Sequence, residues 1–322
     1  MNLVPLVLVT PALADANNGN WQTAQRWARM LRRAYRVRLQ AHWSAAGGRH
    51  DDALMIALHA RRSADSVTAF KAAHPDRPLI LALTGTDLYR DNASDSRAQR
   101  SLALADRLIV LNDLGAQALP PQLRHKARVV LQSCGVRAPR LRPKQHTRML
   151  MVGHLRAEKD PATYQRAAVQ LAHHGDLFFD HIGNALDPAW AHAAELCMAQ
   201  QPRYRWLGGL PHGATRDRMT RASVLVHASR LEGGAHVVIE ALRSGLPVLA
   251  SRIDGNVGLL GADYAGYFPV GDAEALAALI ERFADDRAFA TQLAAQCAAR
   301  ADRFTPEAEA AALGTIVSEL LG

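Results

Sequence analysis

Short apolar blocks separated by polar, turn-forming stretches run the length of this chain. Uninterrupted apolar runs of roughly four to eight residues are the mark of strands buried on both faces of a sheet. They recur at Leu3–Thr10, Val37–Ala41, Asp52–His59, Leu79–Leu83, Ala105–Leu111 and Val129–Ser133. A second series follows at Met149–Val152, Phe178–Gly183, Tyr204–Gly209, Ala222–Ala228 and Val248–Ala250. Between and after them the period lengthens to that of a helix. Trp27, Met30 and Leu31 share one face of a helix running from about Trp21 to Ala34, and further helices are expected at Arg216–Ala222, His236–Arg243, Gly271 to about Phe283, and Phe289–Arg303. Thr305-Pro306-Glu307 opens a last one with a capping hydroxyl, a proline at the first helical position and an acid in the first turn. Strand and helix in alternation predict an α/β chain with parallel sheets. Ala138–Lys144 (APRLRPK) reads as a linker, so the expected divisions are 1–143, 144–304 and a terminal helix at 305–322.

One stretch stands out chemically, Ser229–Ser251, SRLEGGAHVVIEALRSGLPVLAS. A strand precedes it, Glu232-Gly233-Gly234 forms an acidic glycine loop, His236–Arg243 is helical, Gly245 caps and Pro247 stops the helix. A helix N-terminus offers unpaired N–H groups, and glycines admit close approach of a phosphate. Glu232 and Glu240 lie eight apart, and a carboxylate matches the two hydroxyls of a vicinal diol. His236 and Glu240 share a helix face. The plainer alternative is an ordinary capped helix with a buried Glu, which would then need a partner.

Polar residues at strand ends supply the other candidates. Asp15–Asn20 ends in NNGN, which suits an anion loop with Gly19 and Asn20 or simply a turn. His59-Ala60-Arg61-Arg62 offers an imidazole and an anion clamp, or a solvated basic loop; Thr84-Gly85-Thr86-Asp87 closes the next strand. Gly153-His154-Leu155-Arg156-Ala157-Glu158-Lys159-Asp160 is a basic turn at a helix start.

Composition narrows the picture. The 322 residues suit two domains of about 150 each, and 49% hydrophobic content excludes a disordered chain. The formal charge of +8 comes with only 6% aromatics and scattered arginines, so small anionic substrates or a general surface property explain it as well as nucleic acid does, and no nucleic-acid partner is expected. Cys134, Cys197 and Cys297 form no CxxC pair, which favours a reducing, cytoplasmic setting and argues against a zinc site. Leu3–Val9 is short for a signal core and has no preceding Lys or Arg, and no run reaches the roughly 18 apolar residues of a membrane span. No membrane partner is expected.

The E-x7-E spacing followed by EALRSGLPVLAS closely resembles the donor site of the GT-B glycosyltransferases of family 4. The resemblance implies two Rossmann-like domains facing each other across a cleft, with the last helix crossing back onto the first domain. It implies that Glu240 holds the ribose and Glu232 the donor hexose, with Gly233, Gly234, Ala235 and His236 along the sugar and diphosphate. Gly153–Asp160 resembles the family's G-R-L-x-x-x-K-G segment: Lys159 matches, His154 stands where the Arg is expected, and Arg156 lies two residues on. Arg156 and Lys159 are the expected diphosphate clamp, and Gly183 and Leu207 lie near the base. Thr84 replaces a His common in relatives, and Gly85 and Asp87 would line the cleft. Ser251–Gly258 lacks the family's G-G-x-x-E glutamate. No Asp-x-Asp triplet occurs, which fits a metal-independent site without a cofactor.

HARRSA, LTGTDLYRD, LPHG-x-TR and EGGAHVVIEA together resemble, more narrowly, the selenosugar synthases of selenoneine biosynthesis. That resemblance implies UDP-GlcNAc or UDP-glucose as donor and selenophosphate as acceptor, with Gly19, Asn20, His59, Arg62, Thr84, Gly85 and Asp87 on the acceptor side. Two alternatives stay open: a family-4 transferase with a hydroxyl acceptor, and a binding module without activity.

Overall fold

The computed structural model describes residues 3–11, 19–47, 51–140 and 145–322; Asp15–Asn18 of the first predicted anion loop and 141–144 of the predicted linker lie outside them. The chain divides into two compact units. Unit 1 comprises 1–133, 232–234 and 305–322; unit 2 comprises 134–231 and 235–304.

Unit 1 is built on β1 (Pro5–Val9), α1 (Gly19–Leu31), β2 (Arg36–Gln40), β3 (Leu54–Leu58), α2 (Ala64–Ala73) and β4 (Leu79–Ala82). A π-helical turn, Asp87–Asp91, runs into α3 (Asn92–Ser94), and α4 (Ser96–Leu104), β5 (Arg107–Val110) and β6 (Ala127–Val129) follow. The six strands are parallel in the order β2-β1-β3-β4-β5-β6. Alternate residues of each strand serve opposite faces, so the inner strands β1, β3 and β4 are apolar throughout, while the edge strand β2 alternates with Arg36, Arg38 and Gln40. Leu6, Leu8, Leu54, Ile56 and Leu58 share one core with Trp27 of α1 and Leu313 and Val317 of the last helix. Val7, Val9, Met55 and Ala57 share the other with Val67, Phe70, Ala98 and Leu102. Helix α1 buries Thr23, Ala24, Trp27, Ala28 and Leu31, a single stripe at helical spacing.

Unit 2 contains β7 (Thr147–Val152), α5 (Pro161–Gln170), β8 (Leu177–Ile182), α6 (Pro188–Gln200), β9 (Tyr204–Trp206), α7 (His212–Arg221) and β10 (Val224–His227). It continues with α8 (His236–Leu242), β11 (Val248–Ser251), α9 (Asp254–Leu260), β12 (Tyr267–Phe268), α10 (Ala273–Asp285) and α11 (Arg287–Ala301). Its strands are also parallel, in the order β12-β11-β10-β7-β8-β9. The chain ends in α12 (Pro306–Leu321), whose contacts belong to unit 1. There Glu309, with a fully buried side chain, accepts from Trp27 Nε1 at 2.7 Å, Arg26 Nε at 2.8 Å and the Ser133 amide at 2.8 Å.

Three segments depart from expectation for visible reasons. The strand predicted at Val129–Ser133 stops at Val129, because the Ser133 amide is taken by Glu309 instead of a neighbouring strand. The strand from Tyr204 ends at Trp206, since Gly208 adopts φ 65 and turns the chain away. The helix expected from Arg216 already starts at His212, directly after Pro211. Among the described residues no helix is long and apolar enough to cross a membrane.

Candidate functional site

In unit 2 the strand order reverses between β7 and β10, and in a parallel sheet ligands bind outside the carboxyl ends of the strands flanking such a reversal. The loops there are Gly153–Asp160 and Ala228–Ala235, which contain most of the donor-side residues singled out above. They are tied together: the Arg230 amide donates to Glu158 O at 2.9 Å, and the Arg230 guanidinium meets Asp160 Oδ2 at 3.0 Å. Asp160 occupies the position where the resembling segment ends in glycine, and its φ of 48 is left-handed. Aspartate tolerates that conformation better than most residues because its short side chain bonds locally; Asp160 Oδ2 also accepts from Thr163 Oγ1 at 2.8 Å.

One glycine is required by close approach: a Cβ on Gly183 would fall 1.9 Å from Gly153 O, whereas one on Gly153 would meet the Lys159 stem at 3.4 Å, an ordinary contact. Lys159 is therefore laid across Gly153. Beneath them His181 is fully buried, with Nε2 at 3.2 Å from Gly153 O and Nδ1 at 3.0 Å from Tyr204 OH. A carbonyl only accepts, so Nε2 carries the proton and Nδ1 accepts from the tyrosine. Burial holds this imidazole neutral, with its pKa lowered to about 4. His154 accepts the Asn184 amide on Nδ1 at 3.1 Å. Its pKa is lowered by partial burial and then by the Arg156 and Lys159 charges, so it is a neutral loop residue. Arg156 is half-buried, 3.9 Å from Glu158, and its Nε has no hydrogen-bond partner among the described residues. At the ends of β8 and β9, the Leu207 amide donates to His181 O and Trp206 Nε1 to Gly183 O, both at 2.8 Å.

Glu240 is 5% exposed in α8 and faces three cationic or ionisable side chains. His212 Nε2 lies 2.5 Å from its Oε1, His236 Nδ1 3.5 Å and Arg216 3.8 Å. Burial alone would raise the carboxyl pKa; the bonds from His212 and His236 outweigh it and hold the value at about 2. All three contacts converge on Oε1. Among the described residues Oε2 accepts no hydrogen bond, so the anchored carboxylate keeps one oxygen for a ligand. Helix α8 has only seven residues, so its dipole is a minor source of positive charge beside Arg156, Lys159 and Arg230.

In unit 1 the reversal falls between β1 and β3. The loop after β3 starts at His59, whose φ of 71 is left-handed. Its ring is 2% exposed, with Nδ1 accepting from the Arg62 amide at 3.4 Å and Nε2 at 3.3 Å from Thr86 Oγ1. Burial lowers its pKa. Asp87 is fully buried and accepts from Ala60 N, Thr84 N and Thr84 Oγ1 at 2.9, 2.7 and 2.8 Å. His59 and Asp87, expected on the acceptor side, are both buried, where they brace the loops after β3 and β4 against each other. Beyond that brace, Pro11, His42, Arg61, Arg62, Asp95 and Arg97 line a cavity of about 350 Å³. Arg61 meets Asp91 at 3.2 Å and Arg97 meets Asp65 at 2.6 Å. Arg62 takes no ion pair among the described residues and is exposed. Arg61 and Arg97 are thus neutralised by neighbouring aspartates, and Arg62 is the lining arginine without an ion pair among the described residues.

The glycine loop 232–234 belongs to unit 1 by its contacts. Asn112 Nδ2 donates to Gly233 O at 2.6 Å. A Cβ on Gly233 would lie 2.7 Å from Gly85 N, and one on Gly234 2.7 Å from Leu111 Cβ. The paired glycines were expected to make room for a phosphate; the groups that approach them here are the protein's own backbone and side chains. Glu232 is half-buried, Ala235 is buried and precedes α8, and Thr84 and Gly85 are half-buried beside Gly233. Gly19 and Asn20 form the start of α1.

The family follows from the match of residues 136–303 to the glycosyl transferases group 1 family, which spans just over half of the chain. The chain belongs to that family and is a glycosyltransferase with the α/β, two-domain GT-B fold. Among solved structures, sucrose-phosphate synthase from Thermosynechococcus elongatus aligns with a TM-score of 0.79 and 17% identity over 98% of each chain. HepE of Anabaena in complex with UDP and glucose aligns at 0.76 and 14%, over 98% of this chain and 100% of that one. A glycosyltransferase from Rickettsia africae aligns at 0.76 and 14%, over 100% and 99%. At these identities the likeness is one of fold. No curated protein sequence matches the chain at a significant level.

Proposed function

We propose that this glycosyltransferase moves a hexose or N-acetylhexosamine from a UDP-sugar to a small anionic acceptor, selenophosphate, giving a 1-seleno-sugar. The observation that carries the donor half is Glu240, a carboxylate with one anchored oxygen and one oxygen left to accept a ribose hydroxyl. Glu232 then contacts the hexose, and the backbone of Gly233–His236 follows the sugar and diphosphate. Arg156 and Lys159 neutralise the departing diphosphate, with His154 kept neutral to shape their loop. Gly183 and Leu207 border the base. HepE, a structural neighbour, was solved with UDP-glucose, which supports the same donor class.

The acceptor half rests on the arginine-lined cavity beside His59. Arg62 has a guanidinium uncommitted among the described residues, which suits a small anion. The one carboxylate in the lining, Asp95, caps α4 through the Arg97 and Ala98 amides, so it is poorly placed to act as a base. An acceptor that arrives ionised needs none. Selenium attacks the anomeric carbon, the bond from that carbon to the diphosphate oxygen breaks, and UDP leaves. The phosphoryl group stays on selenium until water removes it. No step in this scheme calls for a metal, because the basic pair carries the leaving-group charge. UDP release by the purified protein, with selenophosphate, orthophosphate or sugar hydroxyls as acceptors, tests the reading. Acceleration by selenophosphate is expected; acceleration only by hydroxyl acceptors would replace it with an ordinary family-4 transfer.

A further inference from the structure

We infer that unit 2 carries a binding site for a divalent cation of the zinc class, formed by His173, His174 and Glu281, at the end of α5 remote from the candidate donor loops. After α5 ends at Gln170, a tight turn closes with the His174 amide on Leu171 O at 3.1 Å. This turn brings both imidazoles to Glu281 on α10. His174 Nε2 lies 2.9 Å and His173 Nε2 3.8 Å from the same carboxylate oxygen, Oε1. One donor atom from each of the three residues falls within 4.8 Å of the others.

These spacings suit one ion. Zinc bonds of 2.0–2.1 Å in a tetrahedron place neighbouring donor atoms about 3.3 Å apart, and the two measured separations bracket that length. The second shell is set for at least one imidazole. His173 Nδ1 lies 3.1 Å from Gln170 O; because a carbonyl only accepts, Nδ1 bears the proton and Nε2 presents a lone pair towards Glu281. A backbone carbonyl fixing the far nitrogen is how metal-binding histidines are commonly oriented. The rings of His173 and His174 stand 4.2 Å apart at 43°, so modest rotations direct both nitrogens to one point. Without an ion, His174 Nε2–H donates a hydrogen bond to Glu281 Oε1. Metal replaces that proton, which moves to Nδ1 or is released to solvent.

Two imidazoles and one carboxylate favour zinc, cobalt or nickel over magnesium or calcium, which prefer all-oxygen shells. The His173 side chain is 67% exposed, leaving room for water at the remaining positions. The site staples α5 to α10. It sits a full helix, roughly 15 Å at 1.5 Å per residue, from the Asp160 end of α5, so no step of glycosyl transfer runs through it.

The test is equilibrium dialysis of the metal-stripped protein against zinc, followed by thermal unfolding with and without it. Wild type should bind one zinc ion per chain and unfold at a higher temperature when loaded, while magnesium and calcium do neither. His174→Ala and Glu281→Gln should each weaken zinc binding on the order of a hundredfold and abolish the thermal shift, with glycosyl transfer unchanged. His173→Ala serves the same purpose should His174→Ala fail to fold. Absence of saturable binding in wild type, or equal affinity in wild type and the variants, would overturn the site.

Discussion

Replacing Glu240 by glutamine probes the donor site with little change of shape. The carboxylate holds His212, His236 and Arg216 on Oε1, and its proposed role is to accept a ribose hydroxyl on the other oxygen. A hydrogen bond to a charged acceptor contributes about 1.5–3 kcal/mol, and loss of the acceptor charge weakens that bond. With each 1.4 kcal/mol equal to a tenfold change, Glu240→Gln should raise the Kd for UDP on the order of a hundredfold. The fold should survive, because Arg216 keeps its bonds to Gly135 O at 2.9 Å and Ser244 Oγ at 3.3 Å. The same substitution has a second, ligand-free signature. The bond from Glu240 is the main reason the His212 pKa is raised, so an NMR titration should find that pKa lower in the variant. Isothermal titration with UDP reads the first effect. An unchanged Kd in a variant with a near-native unfolding midpoint would refute the placement of the ribose on Glu240.

Three further outcomes follow from particular contacts. His181 is buried neutral with a pKa of about 4 against an ordinary 6.5; the unfolded chain takes up its proton first, so stability present above pH 6.5 should decline as pH falls towards 4, by about 3 kcal/mol in total. Urea unfolding midpoints across that range, compared with His181→Gln, would show this dependence shrinking in the variant. Glu309→Ala strips a buried anion from Trp27, Arg26 and Ser133 and should cost about 3 kcal/mol or more, a loss measurable as a drop of roughly 6–12 °C in the unfolding midpoint of unit 1. Arg62→Ala should raise the acceptor KM several-fold while leaving the Kd for UDP unchanged; steady-state kinetics with selenophosphate varied separates the two.

The architecture was legible because its strands are buried on both faces. Pro5–Val9, Leu54–Leu58 and Leu79–Ala82 are apolar at every position. Helix α6 escaped notice for the opposite reason: it buries only Ala194 and Cys197, so its sequence lacks a clear stripe. The E-x7-E spacing was readable because eight residues of local chain fix both acids. What anchors Glu240 was not, since His212 lies twenty-eight positions earlier and reaches it only through the way α7 and α8 pack.

Backbone conformation was equally hidden. Nothing about the letter at 59 or 160 reveals a left-handed φ, although an aspartate standing where relatives have glycine was a readable sign at Asp160. His59 takes that left-handed conformation at the end of β3, whereas Asp87 is drawn inward by the Ala60 and Thr84 amides, partners that residue type alone does not reveal. Glu309 shows the same limit at longer range: an acid in the first turn of α12 reads as a helix cap partner, yet its oxygens serve Arg26, Trp27 and Ser133.

Mass spectrometry of a single reaction tests the central claim most directly: purified protein, UDP-GlcNAc and selenophosphate, without added metal. The account predicts UDP together with an amino sugar bearing selenium at its anomeric carbon, identified by the isotope pattern of that element. Free sugar and UDP alone, or no turnover while a hydroxyl acceptor is glycosylated under the same conditions, would contradict it.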